Sequence, residues 1–391
     1  MEKKRLAVVT GTRAEYGLLR RVISELLKSD KIIPEVIVTG AHLSPLYGNT
    51  VQEIEKDGVP IAARVDILKF GQGRRATADT VAYAMEQFAA LFEDMRPDGC
   101  LVLGDRYEIF AVGAAAAMLG VPLVHISGGD VTLGAADDWY RHCLTKMACL
   151  HFPSCEEYAR RVIRMGENPA TVFNVGGLGD ENIRKLPLMG LEELSESIGF
   201  DLTEGPYALV TFHPETAGGA DPLSQMDQLL AAMEDTPGVK WLITKANADA
   251  GGQAINRRID QWCAGRSDAV AFASLGVVRY LSAMRRAAAV VGNSSSGVVE
   301  TPTFGVPTLN IGQRQAGRII CQNVLCCEAN RADIAAALQK ALSPAFRQLA
   351  AATVSPYNGG DTARRMVEVL EQEMFRPGFG GPKGFYDGPA E

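Results

Sequence analysis

The sequence predicts an α/β protein with two parallel-sheet domains, and three observations carry that expectation. Short β-branched runs alternate with longer amphipathic or alanine-rich segments, the β-α-β-α signature of a parallel sheet with helices on both faces. The runs are apolar almost throughout rather than alternating, as strands buried on two sides require. A chain of 391 residues also exceeds what one hydrophobic core usually organises.

In the first half, strands are expected at 6–10, 35–39, 63–68, 100–103, 123–126 and 150–152, separated by helices near 14–28, 76–95, 107–119, 136–147 and 155–165. A second series is expected at 207–212, 240–243, 270–272, 290–291 and 308–311, each followed by a helix or a turn. The stretch 176–206, rich in Gly, Pro, Glu and Leu, reads as a linker with one or two short helices. The domains are therefore expected at 1–180 and 206–360. From Arg376 the chain has too much Gly and Pro for regular structure, so 376–391 is expected to be disordered or to lie across a surface.

Composition narrows the function. A net charge of −7 and a pI near 5.5 argue against non-specific nucleic-acid or membrane-surface binding, so an anionic ligand must be met by a local cluster of Arg, Lys or helix N-termini. Only five residues, Leu6 to Thr10, separate Arg5 from Gly11, which makes a first strand rather than an export signal. The apolar stretch 109–124 is broken by Gly113, Gly120 and Pro122 and predicts a buried helix and strand instead of a membrane span. A cytoplasmic protein is expected. Eight cysteines without a Cys-x-x-Cys pair fit a reducing compartment, and His142, Cys143, Cys149, His151 and Cys155 match no compact metal-ligand spacing.

In open parallel sheets the ligand crevice lies beyond the carboxyl ends of the strands. The residues that follow the expected strands are unusually polar: Gly11-Thr12-Arg13-Ala14-Glu15, Gly104-Asp105-Arg106, Ser127-Gly128-Gly129-Asp130, His213-Pro214-Glu215-Thr216, Lys245-Ala246-Asn247 and Gly292-Asn293-Ser294-Ser295-Ser296-Gly297. No Gly-x-Gly-x-x-Gly follows the first strand and no Gly-Lys-Ser/Thr occurs, which disfavours dinucleotide oxidoreductases and P-loop enzymes. The run Asn293 to Gly297 is expected to open a helix continuing to Glu300 and to offer backbone N–H groups and hydroxyls to a phosphate. An N-cap run without a ligand has the same appearance. Arg13, Arg106, His213 and Arg314 can supply positive charge to a diphosphate, and Glu300 can accept from ribose hydroxyls. Asp105, Asp130, Asp137 and Asp138, with His42, His125 and His142, suggest proton transfer. The alternative is that Asp130 and Asp137 cap the following helix and that Asp105 pairs with Arg106 or Arg141.

The motifs together resemble the UDP-N-acetylglucosamine 2-epimerases, within them the hydrolysing branch of bacterial sialic acid synthesis. Val-Thr-Gly-Thr-Arg-Ala-Glu-Tyr-Gly (9–17), Val-Leu-Gly-Asp-Arg-Tyr-Glu (102–108), His-Ile-x-Gly-Gly-Asp (125–130), Arg-His-x-x-Thr-Lys (141–146), Phe-His-Pro-Glu-Thr (212–216), Asn-Ala-Asp-Ala-Gly (247–251) and Gly-Asn-Ser-Ser-Ser-Gly-x-x-Glu (292–300) occur in family order. The resemblance implies a glycosyltransferase type B-like fold, two Rossmann-like domains facing across a cleft, with a last helix at 361–375 crossing back to the first domain. Ala14 in place of a proline, and His213-Pro214-Glu215-Thr216 in place of His-Arg-Arg-Glu-Asn, point to the hydrolysing branch.

That family is thought to remove the proton on sugar C2 while the bond from C1 to UDP breaks, and then to hydrate the acetamidoglucal with inversion at C2. No redox cofactor and no metal is implied. Carried over by motif, Arg13, Arg106, His213, Asn247, Ser294, Ser295, Ser296, Gly297, Glu300 and Arg314 are expected to bind the nucleotide sugar. Asp105, Asp130, Asp137 and His213 are the expected catalytic groups. Many members carry a carboxylate where this chain has Ser127, so Asp130, Asp137 or His125 must take that role or the proton path differs. The loop after Asp130 leaves Asp137 and Asp138 as alternatives. The expected reaction is UDP-N-acetylglucosamine plus water to N-acetylmannosamine and UDP. UDP-diacetylbacillosamine is the alternative substrate, and an inactive nucleotide-sugar-binding protein is the alternative of another class. The resemblance implies a homodimer or homotetramer.

Overall fold

The computed structural model describes residues 2–45, 48–69, 73–133, 136–214, 221–246 and 252–388. The chain forms two compact units, one of Met1–Val131, Ala136–Asn182 and Tyr357–Glu391, the other of Thr132–Ala135 and Ile183–Pro356.

The first unit holds six strands, β1 (Lys4–Thr10), β2 (Ile32–Thr39), β3 (Ile61–Val65), β4 (Gly99–Leu103), β5 (Leu123–Ile126) and β6 (Leu150–Phe152). They form one parallel sheet in the order β3-β2-β1-β4-β5-β6, with Val8 of β1 opposite Val36 on one side and Leu101 on the other. Successive side chains point to opposite faces. Leu6, Val8, Leu101 and Val124 therefore join one core with Leu19 and Ile23 of the helix Arg13–Leu26 and Met366 and Leu370 of the helix Thr362–Glu373. Ala7, Val9, Cys100 and Val102 join the other with Phe88, Phe92, Ile109 and Val112. Burial on both faces explains why the strands read as continuous apolar runs.

The second unit repeats the plan with β7 (Tyr207–Thr211), β8 (Lys240–Thr244), β9 (Ala269–Phe272), β10 (Ala289–Gly292), β11 (Thr308–Ile311) and β12 (Val324–Cys327). Its order is β12-β11-β10-β7-β8-β9, again all parallel. Counted from its own first strand this is the same 3-2-1-4-5-6 doubly wound order as in the first unit, read from the other edge. Val210, Trp241 and Val291 pack on one face and Leu209, Leu242 and Val290 on the other.

Strand β12 is absent from the sequence expectation. It is a half-exposed edge strand of four residues with one β-branched residue, Val324, and pairing with β11 defines it. The stretch expected as a linker contains the helices Leu178–Lys185 and Leu191–Ile198, and Ile183, Leu194 and Ile198 are core residues of the second unit. The helix expected to run from Asn293 to Glu300 is instead two single turns, Ser296–Val299 and Thr301–Phe304, broken at Glu300 because Pro302 lacks the donor that would continue the first turn. Of the two alternatives for the tail, its described residues, 376–388, show the docked one: Tyr386 donates its N–H to the Gly166 carbonyl at 2.9 Å. No helix among the described residues is long and apolar enough to cross a membrane.

Candidate functional site

In each sheet the strand order reverses between the first and fourth strands, the place where doubly wound folds bind ligands. In the first unit these are β1 and β4. After β1, Thr12 accepts from the Glu15 N–H at 3.3 Å and Glu15 Oε2 accepts from the Gly11 and Thr12 N–H groups at 2.7 and 3.1 Å, a capping box that starts the helix Arg13–Leu26. Burial, and then the neighbouring Glu108, push the Glu15 carboxyl up to about 8. Arg106 donates to Glu108 at 2.5 Å and lies 4.0 Å from Glu15. Arg13 pairs with Glu53 at 3.0 Å and stays largely exposed.

After β4, Asp105 is held by Arg141 rather than Arg106. Arg141 is almost fully buried and also donates to the Asp130 carbonyl at 2.9 Å and to Asp138 at 3.2 Å. The helix Ala136–Met147 thus brings its own first turn, the loop after β4 and the loop after β5 to one guanidinium. That helix sits close because Gly113 faces it: a Cβ there would lie 2.4 Å from Leu144. Asp138 is further paired with His142 at 3.5 Å. Asp137 is not among the Arg141 ion pairs that define this hub, and desolvation followed by the charge of Asp105 raises its carboxyl above the ordinary range. Asp130 accepts from the Val131 N–H at 2.9 Å and lies against the Tyr158 hydroxyl.

The loop Ser127 to Asp130 is shaped by backbone geometry. Ser127 has φ +66 and Gly129 φ +85, and a Cβ at Gly129 would stand 2.4 Å from the Tyr158 carbonyl. His125 is buried, with Nε2 2.8 Å from the Gly104 carbonyl and Nδ1 3.1 Å from Thr145 Oγ1. Burial lowers its pKa to about 3, so at neutral pH it is uncharged and braces the Gly104 turn. His42 is likewise buried, between Thr10 Oγ1 at 3.0 Å and Thr50 Oγ1 at 2.8 Å, and burial lowers it to about 4. Neither has the exposure a cleft acid or base needs. His151 pairs with Glu167 at 3.0 Å in a buried cluster, and among the described residues no three His, Cys, Asp or Glu side chains gather as a metal site.

In the second unit the reversal lies between β7 and β10. His213, after β7, donates its N–H to Asn293 Oδ1 at 2.7 Å, and Asn293 Nδ2 donates to the His213 carbonyl at 2.8 Å. Gly292 makes this approach possible: at φ +134 it lies so near Thr211 that a Cβ would be 1.9 Å from the Thr211 carbonyl. The Asn293 carbonyl accepts from Arg314 at 3.1 Å and from Gln315 at 2.9 Å, which ties the loop after β11 to the same point. Ser296 Oγ lies 3.2 Å from Ser294 Oγ and 2.6 Å from the Tyr280 hydroxyl. Ser295 is exposed, Gly297 is buried, and burial raises the Glu300 carboxyl to about 7. Asn247 lies outside the described residues, as do Glu215 and Thr216.

Sequence reasoning placed most of these loops but missed three residues that organise them. Arg141 is visible as a possible partner of Asp105 and within a family motif, Asn293 within a serine-rich motif, and neither as an organiser of the loops; Tyr280 is not singled out at all. The Thr12-x-x-Glu15 spacing would have identified the capping box.

The profile of the family described as UDP-N-acetylglucosamine 2-epimerase matches residues 24–371. The chain is 38% identical over 349 residues to the "GDP/UDP-N,N'-diacetylbacillosamine 2-epimerase (hydrolyzing)" of Campylobacter jejuni, covering 89% of this chain and 90% of the relative. It is 35% identical over 390 residues to the "Polysialic acid biosynthesis protein P7" of Escherichia coli, with 99% and 98% covered. In structure it is similar to a UDP-GlcNAc 2-epimerase from Neisseria meningitidis bound to UDP-GlcNAc, with a TM-score of 0.81 at 19% identity, covering 94% of this chain and 100% of the other. The profile match over most of the chain and the shared fold lead to one conclusion: the chain belongs to the UDP-N-acetylglucosamine 2-epimerase family.

Proposed function

We propose that the protein is a hydrolysing 2-epimerase of a UDP-linked 2-acetamido sugar. The observation that carries this reading is the Arg141 hub, which fixes Asp105, after β4, and Asp138, in the first turn of the helix Ala136–Met147, while leaving Asp137, with its raised carboxyl, beside Asp105. Two carboxyl groups with different environments are what a proton abstraction followed by a protonation requires.

The reaction is read as follows. A carboxylate, Asp105 or Asp137, takes the proton from sugar C2 as the electrons of that bond form the C1–C2 double bond and the C1–oxygen bond to UDP breaks. Water then adds to C1 and a proton to C2 from the opposite face, which releases the free 2-epimer. Ser127 supplies no carboxylate to this scheme, and neutral, buried His125 supplies no base, which leaves the work to Asp105, Asp137 and Asp130. Arg13, Arg106, His213, Asn247, Ser294, Ser295, Ser296, Gly297 and Arg314 are assigned to the nucleotide and its diphosphate, and Glu300 to the ribose hydroxyls, on the strength of the motif match and the Asn293 junction.

For the sugar itself, the name of the Campylobacter relative favours UDP-diacetylbacillosamine, the sugar that the sequence reading placed second. UDP-N-acetylglucosamine is the other reading, supported by the bound sugar of the Neisseria structure. A proton NMR time course in deuterated water with each sugar tests both. Release of UDP with a free 2-epimer deuterated at C2 supports the proposal, and the preferred sugar names the substrate. Retention of both intact sugars over the time course, with UDP still bound, rejects it in favour of a binding protein.

A further inference from the structure

The tail expected to be irregular ends in a built contact. Lys383 Nζ donates to the carbonyls of Lys146 and Ala148, both at 2.7 Å, and reaches the Thr145 carbonyl at 3.4 Å. These are the last turn and the exit of the helix Ala136–Met147, whose first turn carries Asp137 and Asp138 and, one turn on, Arg141. An ammonium at that end meets unsatisfied carbonyls and the negative end of the helix dipole. The same nitrogen lies 2.6 Å from Glu167, which is buried and also pairs with Lys146 at 2.6 Å and His151 at 3.0 Å. The lysine is thus held from both sides.

The tail is docked on either side of Lys383. A Cβ at Gly380 would stand 2.2 Å from Pro122, the residue before β5, and one at Gly166 would stand 2.4 Å from the Phe385 ring, which lies under the Lys146 ammonium at 4.9 Å. From the clamped turn a chain of hydrogen bonds runs to the loop after β4. Thr145 Oγ1 meets His125 Nδ1 at 3.1 Å, and His125 Nε2 meets the carbonyl of Gly104, the residue before Asp105, at 2.8 Å.

We infer that Lys383 is a positioning residue, a latch from the C-terminal segment that sets the helix Ala136–Met147 and, through Thr145 and His125, the Asp105 turn. The inference rests on the epimerase reading for its effect on rate. Its structural content does not.

The test uses the full chain with Lys383→Met, Lys383→Arg and Thr145→Val. Hydrogen–deuterium exchange is expected to show faster exchange in 143–148 and 104–106 in Lys383→Met, with the rest of the first unit unchanged and Lys383→Arg close to the parent chain. With the sugar that turns over, kcat of Lys383→Met is expected to fall about tenfold or more while affinity for UDP changes less than about twofold, and Lys383→Arg to recover most of the rate. Thr145→Val keeps the latch and cuts the relay, so it is expected to lower kcat without the exchange change at 146–148. Parent-like exchange and kcat in Lys383→Met overturn the inference, as do parent-like kcat in Thr145→Val or an equal loss of UDP affinity and kcat. Should Lys383→Met not fold, Thr145→Val and Lys383→Arg decide alone. Absence of turnover by the parent chain rejects the epimerase reading, and the exchange data still judge the latch.

Discussion

His213 and Asn293 are joined by two reciprocal hydrogen bonds, main chain to side chain, of 2.7 and 2.8 Å. They lock the ends of β7 and β10 at the point where the second sheet reverses, and they aim the Asn293 carbonyl at Arg314. Both partners are buried, so removing the amide leaves a donor and an acceptor unsatisfied, each costing about 1–3 kcal/mol. Asn293→Ala is expected to weaken UDP binding by about tenfold or more, measured by titration calorimetry. Parent-like affinity in a folded Asn293→Ala would show that the junction does not shape the nucleotide site.

Arg141 reaches three acceptors from Nη1 and Nη2 of one buried, planar guanidinium, a spread that the point-like ammonium of a lysine does not match. Arg141→Lys keeps the charge and is expected to lower kcat by about 100-fold while the chain still folds, since misplacing a reacting group by about an ångström has that effect. The check is UDP release in a continuous assay beside a thermal melt. A rate close to the parent's would make Arg141 a folding residue only.

Asp137 and Asp138 separate by what each touches. Asp137→Asn is expected to cut turnover by about 10²–10⁴-fold with little change in melting temperature. Asp138→Asn loses ion pairs to Arg141 and His142 and is expected to lower the melting temperature more and the rate less. Because the Asp137 carboxyl is raised, the acid limb of the rate profile is expected above about 3.9, the ordinary aspartate value, and to vanish in Asp137→Asn. The reverse ranking of the two variants would assign the catalytic role to Asp138.

Glu167 is buried, yet hydrogen bonds from His151, Lys146 and Lys383 overcome that burial and hold its carboxyl down from the usual 4.5 to about 2. A depressed carboxyl stabilises the fold above its unfolded pKa, and that contribution disappears as the pH falls through the folded value. Glu167→Gln is therefore expected to cost on the order of 3 kcal/mol at neutral pH. Its deficit against the parent chain should shrink between about pH 4.5 and 2 in denaturant titrations. A deficit that persists unchanged to pH 2 would mean that packing, not charge, sets the cost.

The fold class is legible in the run of residues alone, and so are the polar loops that follow the strands. Strands buried on both faces are mostly apolar, and β5 and β6 fall at the expected residues, 123–126 and 150–152, each with a single buried histidine, His125 and His151, in an otherwise apolar run. The polar residues that follow β1, β4, β5, β7 and β10 stand out against those runs for the same reason. Which polar residues meet follows from how the elements pack. Asp105 chose Arg141, 36 positions away, over adjacent Arg106, because the helix Ala136–Met147 packs against Gly113 and delivers its buried guanidinium to the loop. Lys383 reached the Thr145 carbonyl across 238 positions, in a segment whose Gly and Pro content excludes regular structure and leaves open whether it is disordered or lies across a surface. Local pattern records how a residue sits in its own element, and ion pairs of this kind are set by the packing of elements that the local pattern does not order in space.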